Sequence, residues 1–70
     1  MSWKTEVREA AASIYGTEPR YIFIDVDDYG GVAINWQQSM TVSQQVRNEV
    51  QTAVEKLLPK SYKNKTVVVV

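Results

Sequence analysis

Arg20-Tyr21-Ile22-Phe23-Ile24-Asp25-Val26-Asp27, then Asp28-Tyr29-Gly30-Gly31, then Val32-Ala33-Ile34-Asn35-Trp36-Gln37: this stretch decides the fold of the chain. In its first part Ile22, Ile24 and Val26 alternate with Tyr21, Phe23, Asp25 and Asp27, and a period of two puts the two sets on opposite faces of a strand. The Asp-Tyr-Gly-Gly that follows is rich in residues that tolerate positive φ. Val32, Ile34 and Trp36 then alternate with Ala33, Asn35 and Gln37 on the way back. The whole reads as a β-hairpin.

Helices flank the hairpin. On its N-terminal side Trp3, Val7, Ala10, Ala11 and Ile14 share one stripe of a helix from Trp3 to Tyr15, with Ser2 as N-cap and Gly16 supplying a left-handed C-terminal residue. On its C-terminal side Thr41 and Gln44 have the spacing of a capping box. Val42, Val46, Val50, Ala53, Val54, Leu57 and Leu58 then recur at three- and four-residue intervals, which predicts a helix over 42–58 that Pro59 ends. After the polar connector Lys60-Ser61-Tyr62-Lys63-Asn64-Lys65, the β-branched run Thr66 to Val70 reads as a strand. The predicted architecture is a single small α+β domain over residues 1–70, in the order α-β-β-α-β, with two helices packed on one face of a three-stranded mixed sheet. A crossover through the second helix would lay the last strand parallel to the second, with the first strand central between them.

Composition narrows the chemistry. The chain of 70 residues has no Cys and no His, so thiol and imidazole chemistry and most zinc sites lack their usual residues. Ser13, Ser39, Ser43 and Ser61 have no histidine to activate them, and Gly30-Gly31 lacks the lysine and following helix of a phosphate loop. We therefore expect no enzyme and no cofactor. Eight bases balance eight acids, which argues against a generic polyanion binder. The signs are uneven, with three bases and six acids in residues 1–35 against five and two in residues 36–70. The N-terminus has no apolar signal core and no run approaches the ~20 residues of a membrane span, so the expected compartment is the cytoplasm.

Three patches compete as sites. Asp25, Asp27 and Asp28 could hold a hard cation, but the twelfth position of an EF-hand loop counted from Asp25 is Trp36; the bland reading is an outward strand face and a turn, and we expect no metal site. Tyr21 and Phe23, on the strand face opposite Ile22, Ile24 and Val26, would share the outer sheet face with two of the terminal valines, Val67 and Val69. Such an apolar cluster on a small chain suggests a protein interface, most simply a homodimer. Aromatics on an open sheet also suit RNA bases, but Asp25 and Asp27 on the same face would repel phosphates. The third patch, Lys56, Lys60, Tyr62, Lys63 and Lys65, would suit an anionic surface, lipid or nucleic acid; its bland reading is a solvated patch near the negative end of the second helix.

From Pro19 to Val70 the pattern resembles the BON domain: an alternating strand, Gly31-Val32 leading a second strand, a Ser/Thr-led helix containing Arg47, and a final valine strand. Gln37 and Gln38 stand where that family has a glycine after the second strand, and Lys60-Ser61-Tyr62-Lys63 replaces its usual Gly-Val pair. The resemblance implies the same topology and binding to phospholipid surfaces or protein partners. The leading expectation is a non-catalytic adaptor module that self-associates through its sheet, and the alternative is an anionic-surface binder.

Overall fold

The computed structural model describes residues 2–26, 31–60 and 67–69, with side chains in the last segment limited to Val69. It is a small α+β fold of two helices and a sheet, ordered α1 (Trp3–Tyr15), β1 (Ile22–Val26), β2 (Val32–Trp36), α2 (Gln44–Leu57) and β3 (Val67–Val69). Short 3-10 turns at Pro19–Tyr21 and Ser39–Thr41 lead into β1 and α2.

Helix α1 begins where its sequence says it should. The Ser2 hydroxyl accepts from the Thr5 N–H at 3.4 Å, satisfying one of the donors that the first turn leaves open. At the other end Gly16 takes φ 78°. The N–H groups of Gly16 and Thr17 donate to the Ala12 carbonyl at 2.8 and 2.9 Å, closing the helix with a left-handed residue that costs glycine little. The buried stripe is Val7, Ala11 and Ala12, with Trp3, Ile14 and Tyr15 partly buried beside it. Ala12 thus takes the place expected of Ala10, and the helix is turned slightly toward Tyr15.

Helix α2 starts later than the capping box predicts. Its N-cap is Ser43, which accepts from the Val46 N–H at 3.3 Å. The Thr41 hydroxyl is engaged elsewhere, donating to the Gln38 carbonyl at 2.6 Å within the Ser39–Thr41 turn. The helix ends at Leu57 because Leu58 precedes a proline, whose ring disfavours the helical region for it; Leu58 is extended at φ −71°, ψ 142° and buries its side chain in the core.

The sheet corrects the expected architecture. Its regular part is the two-stranded antiparallel pair β1 and β2, five residue pairs from Ile22 opposite Trp36 to Val26 opposite Val32. The short β3 lies parallel to β2 on the edge away from β1, with Val67, Val68 and Val69 opposite Val32, Ala33 and Ile34. The predicted three-stranded mixed sheet with β1 central is therefore not the arrangement found. β1 is an edge strand, and the terminal valines add only this three-residue ladder to the far side of the hairpin. Burial gives the physical reason. β2 buries Val32, Ile34 and Trp36, while on β1 only Ile22 is fully buried and Ile24 and Val26 are half-buried. The more apolar strand takes the middle, with α1 packed over β1 and α2 over β3.

One core joins these pieces: Val7, Ala11, Ala12, Ile22, Val32, Ile34, Trp36, Val50, Val54 and Leu58. Burying such side chains contributes about 1.5 to 3 kcal/mol each for the larger ones, the main source of stability in a chain without disulfides. The Cα radius of gyration, 11.1 Å, is that of a fully collapsed chain of this length.

Candidate functional site

The alternation of β1 positions the first candidate patch. With Ile22 1% exposed and facing the helices, Phe23 points the other way and is 61% exposed, and Tyr21, at the end of the Pro19–Tyr21 turn, is 48% exposed. Across the ladder Phe23 stands opposite Asn35, and Asp25 opposite Ala33, so the outer face carries one ring, one amide, one carboxylate and one methyl. Arg20 lies over the Tyr21 ring at 5.2 Å and pairs with Glu18 at 2.7 Å; both partners are well exposed, so the pair is worth little in stability.

One expected companion of these rings falls elsewhere. Val69, opposite Ile34, packs against the core, so it belongs to the helical side of the sheet and leaves the proposed interface. The backbone of Val67 stands opposite Val32, and its side chain lies outside the described residues. The error follows from pairing: a strand parallel to β2 sets its residues level with those of β2, and the level partners here are the buried Val32 and Ile34.

What the rings border instead is a groove of ≈ 450 Å³ lined by Thr17, Tyr21, Phe23, Trp36, Gln37 and Gln38. Every lining side chain is uncharged. Trp36 is only 8% exposed, and Tyr15 packs on it with ring centroids 4.4 Å apart, so the aromatic surface extends from the core outward. Phe23 is a ridge, because it also borders a second groove of ≈ 370 Å³ with Thr5, Arg8, Glu9, Pro19, Arg20 and Ile22. The Ser39–Thr41 turn, directly after Gln38, holds Met40, which is 78% exposed. Among the described residues the exposed large apolar side chains are Tyr21, Phe23 and Met40. Sequence reading missed Met40 and the groove. Nothing in the period of Gln37-Gln38-Ser39-Met40 says which of its side chains the turn leaves exposed.

Two buried polar groups, the Tyr15 hydroxyl and the Arg47 Nε, have no hydrogen-bond partner among the described residues. Burial raises the Tyr15 phenol above its ordinary value, and the nearby Arg47 charge only partly offsets this. Arg47 donates from Nη1 to the Met40 Sδ at 3.5 Å, a weak contact that steadies the exposed side chain.

The other candidates are described only in part. Lys56 and Lys60 are exposed, whereas Tyr62, Lys63 and Lys65 lie outside the described residues. Lys56 shares a shallow groove of ≈ 410 Å³ with Gln45, Asn48, Glu49, Thr52 and Ala53, a mixed-charge surface. Along α2, Gln44 donates to Asn48 at 3.0 Å, Gln51 to Glu55 at 3.3 Å and Thr52 to the Asn48 carbonyl at 3.0 Å, so the helix satisfies much of its own polar face. Asp25 is exposed on the outer sheet face, and Asp27 and Asp28 lie outside the described residues. Among the described residues no three acidic side chains gather as metal ligands would. No helix among them is long and apolar enough to cross a membrane. Comparison with protein-family models, curated proteins and solved structures finds no match.

Proposed function

We propose that this chain is a non-catalytic interaction module that self-associates through the aromatic end of its sheet. The observation that carries the reading is the exposure of Phe23 and Tyr21, 61% and 48%, beside an uncharged groove floored by Trp36. A chain of this size gains little from leaving such rings in water, and their burial against a second surface would be favourable. Edge strand β1, whose Ile22 to Val26 carry no lysine and no proline, lies alongside the rings, with Asp25 as its one charged side chain.

The test is molar mass in solution at two concentrations, by light scattering or sedimentation, for the parent chain and for Phe23→Asp. The expected result is a concentration-dependent dimer that Phe23→Asp dissociates while helical content is kept, since the ring is solvent-facing. A parent chain that stays monomeric at high concentration removes the reading. Steep loss of binding to anionic vesicles or nucleic acid between low and physiological salt would instead place function at the lysines.

A further inference from the structure

Resting on that reading, we propose that the dimer is a reciprocal knob-in-groove pair: Met40 of each copy enters the groove of the other between Tyr21 and Phe23, over Trp36. Three features of the surface lead there. The three exposed large apolar side chains of the described residues divide into two that line a concavity, Tyr21 and Phe23, and one that does not, Met40. Knob and groove are neighbours, since Gln38 lines the groove and Met40 follows it by two residues, at most about 7.6 Å of chain. A two-fold axis between them therefore inserts both knobs at once, which is the self-complementarity an isologous dimer requires. Chemically, an unbranched polarisable thioether fits an irregular aromatic slot and makes favourable contacts with ring edges.

Charge supports the same occupant. The knob carries a cation with it, because Arg47 touches the Met40 Sδ and, among the described residues, makes no ion pair. Next in sequence to the lining Thr17 is an acid, Glu18, whose ion pair among the described residues is the exposed one with Arg20. Insertion of Met40 carries Arg47 toward that acid, so opposite charges approach in both halves of the dimer. A standard interface buries roughly 800 Å² per partner. That is about a sixth of this chain's 4713 Å², so the groove region can supply it without disturbing the core.

The experiment uses the full chain and three readouts. Met40→Ala, at a side chain 78% exposed and so without consequence for folding, should raise the dimer dissociation constant at least about 30-fold, because both knobs are lost. Glu18→Gln should weaken the dimer a few-fold at low salt, with the difference from the parent vanishing at high salt. Since the chain has no cysteine, mixing Met40→Cys chains with Thr17→Cys chains under mild oxidation should give a mixed disulfide dimer in preference to either self-pair. A parent chain that is monomeric overturns both proposals. A dimer that Phe23→Asp dissociates, but whose affinity Met40→Ala leaves unchanged and which forms no mixed disulfide, keeps the self-association and overturns the knob-in-groove arrangement.

Discussion

Ile34 and Ile24 face each other across the hairpin ladder, and replacing each by valine measures which strand is the middle of the sheet. Ile34 is 0% exposed, with Ile24 on one side and Val69 on the other, so the methyl lost at position 34 leaves a hole that neighbours on both flanks hold open. An Ile→Val change at a buried site costs about 0.5 to 1.5 kcal/mol, and Ile34→Val belongs at the upper end. Ile24 sits on the edge strand and is only partly buried, so water fills part of the space its methyl vacates; Ile24→Val belongs near or below ~0.5 kcal/mol. In a domain of this size 1 kcal/mol moves the midpoint by about 4 to 8 °C, which separates the two variants by several degrees. The total stability expected for such a chain, about 3.5 to 10 kcal/mol, keeps both folded. Thermal and urea unfolding followed by far-ultraviolet circular dichroism, at concentrations low enough that association adds nothing, gives both numbers. If Ile24→Val is the more costly change, β1 is the central strand and the sheet order described above is wrong.

Four further outcomes follow from local geometry. Ser43→Ala should cost α2 about 1 kcal/mol and Thr41→Ala clearly less, since the Ser43 hydroxyl caps the helix; equal losses in denaturant titration would return the cap to Thr41. Gly16→Ala should lower stability by about 1 kcal/mol although nothing lies within 4 Å of the added methyl, because the penalty is the backbone's positive φ and not a clash. Tyr15→Phe removes a buried hydroxyl that has no partner among the described residues, so its melting temperature should equal or exceed that of the parent. The Tyr15 phenol, raised by burial, makes the folded state hold its proton longer than the unfolded state. Stability from this group is intact below the ordinary tyrosine value of about 10 and falls as pH climbs through the raised one. Tyr15→Phe should flatten that alkaline decline, and an unchanged decline would assign it to another group.

The hairpin was legible because its evidence is local. Alternation over Ile22 to Val26 and Val32 to Trp36 fixes which side chains face the helices, and the exposure of Phe23 follows from parity alone. The caps at Ser2 and Gly16 were legible for the same reason, whereas Ser43 was not: Thr41-Val42-Ser43 offers two hydroxyls, and which one caps depends on the Ser39–Thr41 turn. Strand order was not legible, since a run of valines pairs equally well with either edge and the choice rests on which edge the packed helices leave open. The register of the last strand was not legible either, and it sets Val69 level with the buried Ile34. The Trp36 groove was invisible because it unites Thr17 and Tyr21 with Trp36 and Gln38, two separate segments that no periodicity links.

The parallel ladder of β3 spans only three residues and joins positions 32 and 67, so closing it must wait for almost the whole intervening chain to be organised. Its few hydrogen bonds give it the lowest opening free energy of the sheet, and amide exchange should release it ahead of the hairpin. Each such release strips one side of β2, the most buried strand, leaving a vacant edge that the valine tail of a neighbouring molecule fits as well as its own. Crowding many copies together would therefore favour exchange of tails between molecules.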